Sequence, residues 1–481
     1  MAITVDRVRI ARLRETLHAA GFTAHATAAA LGREVGAAAR SQERPVLLRR
    51  AAKAEPALRV ALELFVLEEA VAVDTLEQAL APLRPDDLVE LGLAEESGGM
   101  LRATIRLVPH EPFLVASDRM TGATRADLVT GVTRPATLLS QLTVRRPVRR
   151  ALDVGTGNGI LALLCARHAE QVVATDINEH ALELAELNMA LNGVTNVELR
   201  LGSFLEPVEG ERFGLVVSNP PYVISPESEY LFRDAGLGGD RLSEQVVRLL
   251  PDALEEDGYA SVTISWIAGS DDVAARPQEW LADTGCDAWL LHTTTDDPLT
   301  TASMWNRDIE DDPERYAAQI DRWVDWYRTE GIEALAYGVC VLRRRFGGDT
   351  WLRAAKLPNA LVQSGSDHLL RLFAAQDRLA AGSLANAVIV PAPDAVLRHS
   401  LHPNGSGWSA TGTELALDGG LGFTAALDGP SAAVVSALDG RPLQEVIAGA
   451  RANIDVNAEE FDAAALTFVG RLLELGFVVA P

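Results

Sequence analysis

The tetrapeptide Asn219-Pro220-Pro221-Tyr222 brings together residue types that suit a planar nitrogen. Two successive prolines fix the backbone and remove two N–H donors. The Asn side-chain oxygen and the Pro220 carbonyl can then accept two hydrogen bonds from one NH2 group. Pro221 and Tyr222 border the same place, and Tyr222 offers an aromatic face for a flat amide or base. The motif follows the apolar run Leu215-Val216-Val217-Ser218, so it is expected at the carboxyl end of a strand, where open α/β sheets bind ligands. Two features lie upstream. Asp153-Val154-Gly155-Thr156-Gly157-Asn158-Gly159 falls between a strand-like and a helix-like run, where glycines permit a tight turn and a close approach of a ligand. Asp176 ends the next strand-like run, and a carboxylate there accepts both ribose hydroxyls of a nucleoside. Together they indicate a nucleoside cofactor without saying which.

The elements that must position these residues read as alternating strands and helices. Strands are expected over 150–154, 172–175, 197–201, 215–218 and 260–267, with helices over 160–167, 181–191 and 242–254 between them. Such alternation predicts an α/β fold with a parallel, doubly wound sheet in residues 108–345. Runs at 288–293 and 334–342 would fill its far edge. Between those runs Tyr316, Ile320, Trp323 and Tyr327 recur at helical spacing, which predicts a helical insertion over about 308–329 with its aromatics used for packing.

Residues 1–107 read as a mainly helical domain, with Ala57–Glu69 a strong helix former. The Gly98-Gly99 turn before Leu101, Ile105 and Leu107 gives it a winged-helix-like pattern. Residues 346–481 read as a smaller α+β domain, turn-rich and β around 404–427 and helical beyond Leu443, with no recognisable chemistry.

Composition narrows the function classes. The chain has 481 residues and a net charge of −24, yet residues 1–59 hold ten Arg and one Lys against five Asp or Glu, a local excess of +6. The remainder lacks the broad basic surface of a nucleic-acid enzyme, while the N-terminal segment keeps nucleic acid open as a partner. No run of about 18 apolar residues is present, so no membrane span is expected. Residues 1–14 do not read as a signal peptide. Three widely separated cysteines, Cys165, Cys286 and Cys340, suit a reducing compartment and offer no metal-ligand spacing. A cytoplasmic location and a metal-free site are therefore expected. His168 and His180 are read as packing or surface residues.

The stretches LDVGTGNGI, VVATDIN and VVSNPPY resemble the class I S-adenosylmethionine methyltransferases, a Rossmann-like family. The match is nearest to the HemK/PrmC-like branch, which methylates a glutamine side-chain amide. The resemblance covers about residues 150–265. It implies that Asp153, Gly155, Gly157 and Gly159 line the methionine and ribose portions of S-adenosylmethionine, that Asp176 takes the ribose hydroxyls and that Ile177 lies against adenine. Ser203 and Phe204 would line the adenine pocket, although many relatives place an Asp where this chain has Ser203. Asn219 and Pro220 would grip the acceptor nitrogen beside the donor, Tyr222 would stack on it, and Arg233 and Asp234 would contact the acceptor. The acidic body of the chain favours a protein or peptide glutamine as acceptor. The alternatives are an exocyclic amine of RNA or DNA, which would have to be flipped out of its stack, and a catalytically silent cofactor-binding platform.

Overall fold

The computed structural model describes residues 3–32, 43–119, 125–227, 239–269, 272–345, 347, 350–358, 364–403, 405, 407–452 and 457–481. The chain divides into two compact units: Met1–Ser140 with Arg146–Ala355, and Gln141–Arg145 with Lys356–Pro481. Residues 1–107 fall in the same unit as the α/β sheet, and the C-terminal part of the second unit starts at Lys356.

The first unit is built on an eight-stranded sheet. Its strands are β1 (Val148–Val154), β2 (Ala169–Asp176), β3 (Val197–Leu201), β4 (Phe213–Ser218), β5 (Leu254–Ile267), β6 (Cys286–Asp296), β7 (Leu335–Arg344) and β8 (Leu352–Lys356). They lie in the order β8-β6-β7-β5-β4-β1-β2-β3. Strands β3 to β5 of that row are parallel, whereas β7 runs antiparallel to both β5 and β6. The sheet is thus mixed rather than wholly parallel, and β8 is an edge strand that the sequence pattern did not single out. Helices α1 (Ile160–Cys165), α2 (Glu179–Leu191), α3 (Arg241–Leu249) and α4 (Ala275–Leu281) form the crossovers. On one face Leu152, Val173, Val216, Val262 and Ile264 join Val246, Val247 and Trp280 in a buried cluster. The chain leaves β1 toward β2 and returns to β4 on its other side, so the β1/β4 boundary is the topological switch point.

Between β6 and β7 lie two helices, α5 (Pro298–Trp305) and α6 (Pro313–Thr329). The aromatic spacing anticipated α6 but not α5. Trp323 and Tyr327 are fully buried and pack with Val223, Ile224 and Leu335.

The N-terminal residues form the helices Arg7–Ala19, Ala24–Leu31, Arg44–Ala51 and Pro56–Ala61, the last continued by a wider turn over Leu62–Val66. There follow strand Ala70–Ala72, helices Val73–Ala79 and Pro85–Glu90, and the hairpin Ala94–Ser97/Met100–Ala103. The first of these strands pairs with the last, which is the winged-helix order. A further hairpin, Ile105–His110/Phe113–Asp118, docks on α2. Asn188 accepts the Ala116 N–H and donates to the Ala116 carbonyl, and Asn192 treats Leu114 in the same way. Leu184, Leu187 and Leu191 of α2 share one core with Ile10, Leu13 and Leu17.

The second unit is α+β. A three-stranded sheet, Ala395–Pro403, Trp408–Leu417 and Thr424–Leu427, accompanies the helices Ser366–Ala380, Gly429–Ser436, Leu443–Arg451 and Ala458–Glu474. Leu415, Val446, Ile447, Val469 and Phe477 form its core.

Candidate active site

The glycine turn leaves the end of β1 with positive φ at Gly155, Gly157 and Gly159, values of +72°, +55° and +82° that L side chains rarely adopt. A Cβ added at Gly155 or Gly157 would meet nothing within 4 Å, so the turn faces open space. Gly159 answers a different need: a Cβ there would lie 2.9 Å from Met189 Cε and 3.1 Å from Ala185 Cβ, so its glycine permits α1 to approach α2.

Two carboxylates flank the turn. Asp153 is fully buried, with Oδ2 accepting the Thr156 hydroxyl at 2.6 Å and no close hydrogen bond to Oδ1 among the described residues, although the Ala162 N–H also favours the carboxylate. Burial pushes its carboxyl up to about 7, and the neighbouring Asp176 charge adds to the rise. Asp176 accepts the N–H of Gly157 at 2.8 Å and that of Asn178 at 2.9 Å, yet burial still raises its pKa above the ordinary carboxylate value. Both groups are therefore incompletely compensated, and hydroxyl or cationic donors placed there would stabilise their ionised forms. Ile177, next to Asp176, is 65% exposed, an apolar surface at the rim of this space. The loop after β3 is held by the Gly202 N–H on the Asp176 carbonyl. Phe204, at φ +46°, accepts the Thr175 hydroxyl on its carbonyl and packs its ring against the core, while Ser203 is half-buried on the loop. These features fit a nucleoside carrying hydroxyls and a cationic group: a buried carboxylate only partly hydrogen-bonded, an under-satisfied second carboxylate and a glycine turn open to ligand.

The segment before β1 lies along this turn. Asn178 donates to the Asp127 carbonyl at 2.8 Å and Asn158 to the Thr130 carbonyl at 3.0 Å. Asp118 accepts the Val129 N–H and pairs with His180 at 2.8 Å, which raises the imidazole pKa. His180 thus braces this segment.

Asn219 and Pro220 follow β4 at the switch point, where Ser218 donates to the Val154 carbonyl at 2.9 Å and ties β4 to the end of β1. The Asn219 Oδ1 accepts the Thr263 hydroxyl at 2.6 Å. Pro220 is buried, and Pro221 and Tyr222 are half-buried. The Ser265 hydroxyl donates to the Tyr222 carbonyl. The Tyr222 ring sits edge-on to Trp305 of α5 and Tyr337 of β7, at centroid distances of 6.2 and 6.5 Å. Burial pushes its hydroxyl above the ordinary phenol value. Tyr327 of α6 donates to the Ile224 carbonyl at 2.7 Å, and the Glu227 carboxylate accepts Gln319 and the Trp323 indole. The insertion thus walls the Tyr222 side of the proline corner. Arg233 and Asp234 lie outside the described residues. Thr263, Ser265, Trp305 and Tyr337 were not singled out by the sequence; the hydroxyl–aliphatic alternation of Ser261-Val262-Thr263-Ile264-Ser265 was the legible trace of the first two.

Glycine turn, terminal carboxylate and proline corner gather at the carboxyl ends of β1, β2 and β4. Residues 133–234 match the family model described as "Methyltransferase small domain". Residues 19–104 and 371–480 match two domain families of unknown function, DUF7059 and DUF7782. The chain is 47% identical over 153 residues to a release factor glutamine methyltransferase of Xylella fastidiosa, covering 30% of this chain and 52% of that one. It is 36% identical over 124 residues to a ribosomal protein uL3 glutamine methyltransferase of Bradyrhizobium diazoefficiens, covering 23% and 39%. Among solved structures, a ribosomal protein L11 methylase of Lactobacillus delbrueckii subsp. bulgaricus aligns over 32% of this chain and 67% of that one, with 26% identity and a TM-score of 0.25. Over these residues the chain is therefore similar to a small methyltransferase domain and to parts of two glutamine methyltransferases. It spans about half or less of the length of the curated relatives it matches.

Proposed function

We propose that this protein transfers a methyl group from S-adenosylmethionine to the side-chain amide nitrogen of a glutamine in a protein. The observation that supports this reading is that Ser218, just before the Asn219-Pro220 corner, is tied to Val154 at the start of a glycine turn open to a ligand. The donor, when bound, supplies a sulfonium whose methyl carbon is already electrophilic. The chain's own residues do the rest. Asp176 holds the ribose hydroxyls, with Ile177 against the base and Ser203 and Phe204 beside it. Asp153 with Gly155, Gly157 and Gly159 borders the remainder of the cofactor.

Asn219 and Pro220 accept the two amide N–H bonds and turn the nitrogen toward the methyl carbon, with Pro221 and Tyr222 bounding the slot. A nitrogen–carbon bond forms as the carbon–sulfur bond breaks, and the nitrogen then loses one proton to solvent. Acceptors aimed at a nitrogen that gains positive charge stabilise the transition state. Orientation itself contributes at most roughly 7–11 kcal/mol. Arg233 and Asp234 are proposed to meet the acceptor protein.

A protein acceptor is supported by the two glutamine methyltransferase relatives and by charge. Part of the basic charge of the N-terminal segment is paired: Arg9 with Asp6 and Glu90, Arg12 with Asp87, Arg44 with Glu69 and Arg59 with Glu63. The third helix of the winged-helix order, Pro85–Glu90, carries Asp86, Asp87 and Glu90, which disfavours phosphate contact. Among the described residues no helix is long and apolar enough to cross a membrane. The three cysteines are buried and in no disulfide, which supports a cytoplasmic setting.

The test is transfer of labelled methyl to purified release factor and uL3, with RNA and DNA as competing acceptors. Protease-sensitive label that acid hydrolysis releases as methylamine supports the reading. Label only in nuclease-sensitive material, or on no acceptor despite cofactor binding, overturns it.

A further inference from the structure

We propose that Thr263 is a positioning residue for methyl transfer, fixing which end of the Asn219 amide faces the acceptor nitrogen. This rests on the reading above, in which Asn219 accepts a hydrogen bond from the nitrogen being methylated. An Asn side chain has two ends of nearly equal shape and opposite polarity. Only the oxygen end suits an NH2 group; the reverse orientation would set donors against donors.

In an Asx turn an Asn settles this choice locally, by accepting the backbone N–H two residues on. Here that residue is Pro221, which has none, and Pro220 has none either. The polarity must be imposed from elsewhere in the fold. Thr263, 44 residues later on β5, supplies it: its hydroxyl donates to Asn219 Oδ1 at 2.6 Å, and the residue is 3% exposed. Turning the amide over would make the hydroxyl an acceptor of the Asn219 NH2 and take away the acceptor its own proton now uses; a buried polar hydrogen left unpaired costs about 1–3 kcal/mol. The amide oxygen has two acceptor sites, so it can hold the Thr263 proton and one substrate N–H together.

The strand around Thr263 is organised for this. Val262 and Ile264 point into the sheet core, which places Ser261, Thr263 and Ser265 on the opposite face. On that face Ser265 donates to the Tyr222 carbonyl, so two hydroxyls spaced by two residues brace the first and last residues of the proline corner. Hydroxyls from β5 thus replace the N–H groups that the prolines removed.

The test compares Thr263→Val, which deletes the hydroxyl at similar volume, with Thr263→Ser, which keeps it. The expected result is a single-turnover transfer rate lowered roughly 10- to 100-fold in Thr263→Val. Calorimetric affinity for S-adenosylmethionine should stay within about two-fold, and Thr263→Ser should run close to the parent rate. A parent-like rate in Thr263→Val overturns the proposal, as does equal loss in both variants, or parallel loss of cofactor affinity and melting temperature. A second readout needs no acceptor: the side-chain NH2 resonances of Asn219 in 15N-asparagine-labelled protein, assigned by their loss in Asn219→Asp. They should shift or broaden in Thr263→Val and return in Thr263→Ser. If the parent enzyme methylates no protein and this pattern still holds, the functional reading fails while the positioning role stands. Unchanged resonances in Thr263→Val sink the positioning role whatever the acceptor.

Discussion

The carboxylate of Asp176 accepts the backbone N–H of Gly157 at 2.8 Å, joining the end of β2 to the glycine turn that leaves β1. One residue therefore shapes the turn and presents the under-satisfied oxygens that a ribose would engage. Asp176→Ala is expected to weaken S-adenosylmethionine binding about 100-fold or more, since hydrogen bonds to a charged group contribute roughly 1.5–3 kcal/mol each. Asn219→Ala acts on the other half of the site, so transfer should be lost while donor affinity is nearly kept. Titration calorimetry on both variants separates the two roles. Unchanged affinity in Asp176→Ala would refute the cofactor assignment.

Asp153 predicts a pH-dependent stability. Its carboxyl rises from 3.8 unfolded to about 7 folded through burial. The folded protein then binds more protons than the unfolded chain between about pH 4 and 7, so this group's contribution is present at low pH and lost as pH rises through that window. Asp153→Asn should melt above the parent at pH 8, by a few kcal/mol at most, and show no advantage near pH 4. Thermal scans at the two pH values check this, and an advantage confined to acid would contradict the buried, uncompensated charge.

His368, in the second unit, has the opposite sign. Its Nδ1 accepts the Leu421 N–H and its Nε2 donates to the Leu475 carbonyl, so the buried ring is neutral and burial pushes its pKa down to about 4. Below its unfolded value of 6.5 the unfolded chain takes the proton first, and stability is lost as pH falls toward 4, by about 3 kcal/mol. Hydrogen exchange of amides in residues 366–480 at pH 7 and 4.5 reads this out. Equal protection at both values would exclude it.

Asn188 should be among the more sensitive positions outside the site. It is fully buried and serves the Ala116 N–H, the Ala116 carbonyl and the Asn158 carbonyl. Asn188→Ala strands these groups, and a loss of about 2–5 kcal/mol is expected from unsatisfied buried backbone. Chemical denaturation measures it, and a change below 1 kcal/mol would mean that water replaces the amide.

Local sequence determined the strands and helices around the site, because hydrophobic alternation and glycine or proline punctuation act within a few residues. It also placed Asp153, Asp176 and Asn219 at strand ends, since strand-to-helix turns are where such residues stand. Only the tertiary structure decided what faces them. The antiparallel β7, the merging of the N-terminal helices with α2 and the wall formed by Trp305 and Tyr337 depend on contacts between residues far apart in the chain, which no local periodicity encodes. The same holds for the Thr263 hydroxyl on Asn219: a buried strand reads the same in sequence whichever partner its polar side chains meet, and that partner is set by which strand lies next to it.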